Sequence, residues 1–145
     1  MFRGRSSHTL DDKGRLIIPS RFMESLKKRG EDTLVITNHE DCLVGFTKKD
    51  WEDIEEKAAR LPLFDPVAQA YLRYFISGAE YCQIKNGKIT IPHELRKIAN
   101  IDKDVTLVGM TTRFEIWDTK RWQEVYLKSA DVFKSQSNNL TQYGI

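Results

Sequence analysis

Gly14-Arg15-Leu16-Ile17-Ile18-Pro19 and Gly87-Lys88-Ile89-Thr90-Ile91-Pro92 are one motif written twice, 73 residues apart. Each sets a glycine and a base before a short aliphatic and β-branched run, and each ends that run with a proline. Outward from these stretches the correspondence persists. Thr33-Leu34-Val35 recurs at the same offset as Thr106-Leu107-Val108. Beyond it the second half is two residues shorter, and both halves reach a tryptophan, Trp51 and Trp122, just after a Thr-Lys pair. A shared order of motif, helical pattern, Thr-Leu-Val and Trp-helix reads as an internal repeat.

Each unit has a physical reading. Ser7 to Leu10, followed by Asp11-Asp12-Lys13-Gly14, looks like a strand entering a tight turn in which Gly14 takes a positive φ. Arg15 to Ile18 is a strand ended by Pro19. Ser20 is expected to cap a helix to about Lys28, with Phe22, Met23 and Leu26 as its apolar positions and Gly30 as its stop. Thr33–Thr37 and Cys42–Phe46 read as strands, and Thr47 as the N-cap of a helix carrying Trp51 to about Arg60. The second unit repeats the plan, with strands at about Tyr81–Ile84, Lys88–Ile91, Val105–Gly109 and Phe114–Trp117, and helices at about His93–Ala99 and Thr119–Ser129. Between the units, Asp65 as N-cap and Pro66 at the first helical position start a connecting helix. Its stripe Val67, Ala70, Tyr71, Tyr74, Phe75 reads as core or subunit contact. The polar stretch from Ser135 to Gly144 reads as a frayed end. The expected organisation is a first repeat at 1–62, a connecting helix at 63–77, a second repeat at 78–130 and a flexible polar tail at 131–145. Neither unit can bury a core alone at this size. An α+β protein is expected, its two intertwined repeats forming one small barrel or sandwich with approximate twofold symmetry and peripheral helices.

Composition bounds the function. The 145 residues are 40% hydrophobic and 30% charged, which argues against general disorder. No apolar run approaches the roughly 20 residues of a membrane span, and no apolar core follows Arg3 and Arg5 as in a signal peptide. A cytoplasmic protein without membrane partners is therefore expected. Cys42 and Cys82 stand apart from any Cys/His cluster, so two free thiols and no metal site are expected. His8, His39 and His93 have no metal-pair spacing, and no phosphate loop, GxGxxG or GxSxG element occurs. Asp11 and Asp12 are adjacent, poor geometry for cooperating carboxylates and good chemistry for a turn. The expectation is no enzyme, no cofactor and no small-molecule substrate.

Charge is unevenly spread. The net charge is only +2, yet residues 1–30 hold eight bases against three acids and residues 31–75 ten acids against five bases. The bases gather at turns: Lys13 and Arg15 flank Gly14, with Arg3 and Arg5 near in sequence, and Lys85 and Lys88 flank Asn86-Gly87. A two-stranded ribbon fits the DNA major groove, where arginine forks onto guanine and lysine neutralises phosphate. A solvated charged turn remains the plainer alternative, and an oligomeric assembly module binding a protein partner is the competing function.

Met1-Phe2-Arg3-Gly4, then Leu10-Asp11-x-Lys13-Gly14-Arg15-Leu16-x-Ile18-Pro19, is similar to the opening of the bacterial MraZ proteins of the AbrB-like superfamily. The resemblance continues through Pro66, Cys82-Gln83, Leu107-Val108-Gly109 and Phe114-Glu115-x-Trp117. It implies a pseudo-twofold, swapped-hairpin AbrB-like β-barrel and a ring-like homo-oligomer. It also implies binding of double-stranded DNA at short direct repeats upstream of division and cell-wall genes, hence transcriptional regulation at the nucleoid. The family's Asp-x-x-x-Arg pattern falls on Asp11 and Arg15, which implies that Arg15 reads bases while Asp11 orders the hairpin with Gly14. In the second half the turn, with Gly87, is one residue short, lacks the aspartate and has Lys88 for the arginine. Lysine cannot fork, which leaves phosphate or a different base for that tip.

Overall fold

Pro19 and Pro92 end the motif strands and start the helices that follow. Both occupy the N-cap position with φ −55° and no side-chain cap. The expected cap, Ser20, is the first helical residue instead. The Pro19 carbonyl accepts from the N–H groups of Phe22 and Met23, so the backbone itself satisfies the helix start. Elsewhere side chains cap as the sequence implies. Thr47 accepts from the Asp50 N–H (3.2 Å), and Asp65 accepts from that of Ala68 (2.9 Å).

The computed structural model describes residues 1–145. Its strands are β1 (Arg5–Thr9), β2 (Arg15–Ile17), β3 (Thr33–His39), β4 (Cys42–Thr47), β5 (Glu80–Gln83), β6 (Lys88–Thr90), β7 (Asp104–Met110) and β8 (Arg113–Asp118). Its helices are α1 (Ser20–Lys28), α2 (Lys48–Ala58), α3 (Pro66–Tyr71), α4 (His93–Ile98) and α5 (Thr119–Gln136). The fold is mixed α+β. Six strands form an antiparallel sheet in the order β1-β7-β8-β4-β3-β5, and β2 and β6 form a separate antiparallel ribbon.

The strand order shows how the halves interlock. β1 of the first half pairs with β7 of the second, and β5 of the second pairs with β3 of the first. Exchanging the halves turns the order of the six strands into itself read backwards. The register marks the axis: Leu16 lies opposite its repeat equivalent Ile89, and Val44 opposite Glu115, its equivalent after the two-residue shortening.

Alternation along the central strands makes two cores. Leu34, Ile36, Leu43, Leu107, Phe114 and Ile116 face a cluster of 19 buried residues that includes Leu16 and Ile89 of the ribbon, Phe22 and Leu26 of α1, and Leu95 of α4. Val35, Val44, Phe46 and Trp117 face an opposite cluster of eight with Trp51 of α2 and Phe75.

Two expectations change and a third narrows. The sheet does not close into a barrel: β1 and β5 are its unpaired edges, because the turns after them carry the chain away into the ribbon. α5 runs to Gln136 rather than Ser129, and 3₁₀ turns at Ser137–Tyr143 occupy the stretch expected to fray. Val132 and Phe133 extend its apolar pattern, and no glycine or proline interrupts before Gly144. The connecting stripe, expected as core or subunit contact, gives the core only Phe75. A π-helical turn at Leu72–Ile76 rephases the helix, so Phe75 is buried while Val67 and Tyr74 are exposed.

Candidate nucleic-acid interface

The two motif turns are built differently. In the first, the Gly14 N–H donates to the Asp11 carbonyl (2.9 Å) and the Asp11 N–H to the Arg15 carbonyl (3.3 Å), closing three residues at the tip. Gly14 takes φ +77°, where a side chain is strained. Asp11 Oδ1 accepts from the backbone N–H groups of Lys13 (3.0 Å) and Arg15 (2.9 Å), while Oδ2 accepts from Arg15 Nε. The Arg15 N–H, then the guanidinium and the Lys13 N–H, hold the Asp11 carboxyl below its ordinary value. One exposed carboxylate thus fixes the turn backbone and one edge of the arginine, leaving both terminal Nη groups without a hydrogen-bond partner in the chain.

In the second turn Lys85 and Lys88 exchange backbone hydrogen bonds (2.9 and 3.0 Å) around Asn86-Gly87, whose φ values are +52° and +73°. That is a two-residue primed turn, one residue shorter than the first. No carboxylate orders Lys88.

The ribbon joins these turns. Arg15 pairs with Thr90 and Ile17 with Lys88, while Leu16 and Ile89 between them are buried. Period-2 alternation therefore puts Arg15, Ile17, Lys88 and Thr90 on one outward face. Arg15 and Lys88 sit at opposite ends of it, roughly 7 Å apart along the strands at two residues' rise. Each turn also buttresses the other half: the Ile91 N–H donates to the Gly14 carbonyl and the Ile18 N–H to the Gly87 carbonyl (both 2.9 Å). Lys13, Lys85 and Lys88 form no ion pair, so their charge is unspent.

Arg3 and Arg5 do not join this face. Arg5 opens β1 opposite Val108, whereas Thr9 at the turn end lies opposite Asp104. The strand separates Arg5 from its turn-side end at Thr9 by roughly 13 Å at four residues' rise. Arg5 stacks on the Tyr126 ring of α5, 4.9 Å from its centroid, and Arg3 lies with its backbone against Gly109.

Sequence reasoning missed Arg96. From α4 of the second half, its Nε donates to the Ile91 carbonyl (3.1 Å) and its guanidinium lies over Gly14. It has no carboxylate partner, so it adds a cation to the first turn. The repeat equivalent is Met23, and a Cβ on Gly87 would meet nothing within 4 Å. The signal was the absence of any side chain on Gly14, which only the fold shows to be contact rather than turn chemistry alone. No helix is long and apolar enough to cross a membrane, and no cluster of His, Cys, Asp and Glu is placed to hold a metal.

The family described as "MraZ protein, putative antitoxin-like" matches twice, over residues 1–74 and 75–143, once on each half. The chain belongs to the MraZ family. Its similarity to individual MraZ proteins spans its length. A protein named transcriptional regulator MraZ from Desulfitobacterium hafniense (strain Y51) is 40% identical over 146 residues, all of both chains. One of the same name from Caldanaerobacter subterraneus subsp. tengcongensis is 42% identical over 147 residues, again all of both. A third, from Syntrophobacter fumaroxidans, is 48% identical over 122 residues, 83% of this chain and 81% of its own. Within this MraZ chain the repeats are unequal: one turn carries the aspartate–arginine pair and the Arg96 stack, the other carries lysines alone.

Proposed function

We propose that this chain is a DNA-binding transcriptional regulator that docks the β2–β6 ribbon face into a major groove. The observation that carries the reading is Arg15, held at Nε by Asp11 with its Nη pair free, on an exposed ribbon. A fork prepared in this way meets guanine O6 and N7 without paying to order the side chain in the complex. Lys13, Lys85, Lys88 and Arg96 supply phosphate contacts, which position the ribbon without reading sequence. The names of the similar proteins support regulation of transcription. Arg3 and Arg5, at the far end of β1, contact phosphate only on DNA that extends past the ribbon.

In this reading residues 1–62 and 78–130 are the two DNA-facing repeats, joined by 63–77, and the intertwined pairing of strands is a swapped-hairpin arrangement of AbrB-like type. One ribbon reads few bases and binds weakly. A ring-like oligomer presenting several ribbons to short direct repeats gains affinity through effective concentration. The repeats would lie upstream of division and cell-wall genes, with the protein in the cytoplasm at the nucleoid.

The test is fluorescence anisotropy on the region upstream of its own gene cluster, against scrambled DNA. Arg15→Ala is expected to abolish discrimination while leaving the thermal transition unchanged. Lys88→Ala is expected to weaken both DNAs alike and to reduce the slope of log affinity against log salt by about 1. Full specific affinity in Arg15→Ala would overturn the reading.

A further inference from the structure

The β2–β6 ribbon carries one residue that neither its charge nor its folding accounts for. Of its six residues, Leu16 and Ile89 are buried, and Arg15, Lys88 and Thr90 are polar. Ile17 alone is both apolar and outward, 54% exposed. Beside it lies an open groove of about 680 Å³ that also borders Pro19, Met23 and Gly87. The fold does not require an aliphatic side chain here. The repeat equivalent of Ile17 is Thr90, in the same ribbon, and threonine serves the strand there. Both are β-branched, so both suit an extended backbone. What isoleucine adds at 17 is apolar surface in water, which stabilises nothing until something covers it.

The neighbours of Ile17 select what covers it. It lies opposite Lys88 and two residues from Arg15 on the same face. Lys13, Lys85 and Lys88 form no ion pair. A second copy presenting this face would oppose cation to cation, whereas a polyanion is drawn in. On duplex DNA the apolar groups open to a ribbon are thymine C5 methyls, which project into the major groove alone. The spacing agrees. Two residues of strand rise about 6.7 Å, and two steps along one DNA strand rise about 6.8 Å. With Arg15 on a guanine, a ribbon that follows the groove sets Ile17 over the base two steps away.

We infer that Ile17 is a specificity-determining residue: it packs on the C5 methyl of a thymine about two base steps from the guanine that Arg15 reads. This rests on the DNA-binding reading and adds to it a second base contact of different chemistry. Arginine selects guanine by hydrogen bonds. Isoleucine selects thymine by excluding water from a methyl group that cytosine lacks.

The test is fluorescence anisotropy with labelled duplexes carrying the region upstream of the chain's own gene cluster, each thymine in turn replaced by uracil. The exchange removes the C5 methyl and keeps every hydrogen-bonding group. In the wild-type chain one such exchange within the bound site is expected to weaken binding about fourfold, the effect of one buried methyl-sized group. In Ile17→Ser the same exchange is expected to have no measurable effect, because the methyl has lost its partner. Unchanged circular dichroism and melting temperature establish that Ile17→Ser is folded, and the uracil scan of the wild-type chain needs no variant. Specific binding without any uracil-sensitive thymine would overturn the proposal and leave Arg15 reading guanine. So would a uracil penalty that survives Ile17→Ser. A wild-type chain that does not prefer this DNA to scrambled duplex would overturn the DNA-binding reading itself, and the proposal with it.

Discussion

The two tip glycines offer an internally controlled perturbation. Gly14 and Gly87 are repeat equivalents with nearly the same backbone, φ +77° and +73°. Alanine at either pays the left-handed cost of an L-residue, about 1 kcal/mol. Their surroundings differ. A Cβ on Gly87 meets nothing within 4 Å, whereas one on Gly14 comes within 2.7 Å of Arg96 Cζ and 2.8 Å of its Nε. Arg96 is the end of a flexible side chain, so it swings aside rather than forcing the backbone. In doing so it loses the hydrogen bond to the Ile91 carbonyl, worth about 1 kcal/mol net. Gly87→Ala should therefore cost about 1 kcal/mol and Gly14→Ala about 2, from the same strain and bond. Urea denaturation followed by tryptophan fluorescence measures both. In an Arg96→Ala background the extra cost has no source, and Gly14→Ala should fall to the Gly87→Ala value. Equal costs in the wild-type background, or an extra cost that survives Arg96→Ala, would refute the account of Arg96 as the residue packed on the first turn.

Other consequences follow from the same geometry. Asp11 has a depressed pKa in the folded chain, so its ordering of the turn is fully present above the ordinary 3.8 and is lost as pH falls through the folded value. The protection of the Lys13 and Arg15 amides, relative to their intrinsic exchange, should hold through the ordinary carboxylate range and fall only below it, and should be absent throughout in Asp11→Ala; protection in the unsubstituted chain that does not change with pH would contradict the clamp. Cys42 and Cys82 are buried free thiols, and burial raises both, Cys82 to about 11. A thiol reagent at pH 8 should label neither in the native chain and both in urea. Fast native labelling of either would show the strand carrying it to be open. Leu16→Ala, at the self-paired position of the ribbon and fully buried, should cost about 3 kcal/mol as a core truncation. A loss below 1 kcal/mol by urea denaturation would mean the ribbon does not seal the core.

Much of this was legible in the residues. The duplicated motif placed the strand, proline and helix of each half, because aliphatic runs, prolines and cap residues act locally. Asp65-Pro66 and Thr47 capped helices as their chemistry requires, whereas Ser20 did not, since the Pro19 carbonyl already satisfied that helix start. The turn residues at both tips were readable for the same reason: Asp11 reaches its own neighbours two and four residues on, and Asn86-Gly87 permits a primed turn. The end of α5 was not readable, because composition made Ser135 to Gly144 look unfolded although it holds no proline, and no glycine before Gly144. Nor were the positions of Arg3 and Arg5. Sequence proximity to the turn meant little once β1 ran away from it.

The sequence by itself determined that there are two halves, which elements each contains, and which turns carry cations, since each of these depends on contacts within a few residues. Only the tertiary structure decided that β1 and β5 change sides, that Leu16 meets Ile89, and that Arg96 of one half stacks on Gly14 of the other. Those contacts join residues 44 or more apart. They follow from the burial of two half-cores that cannot close separately, a requirement no local pattern records.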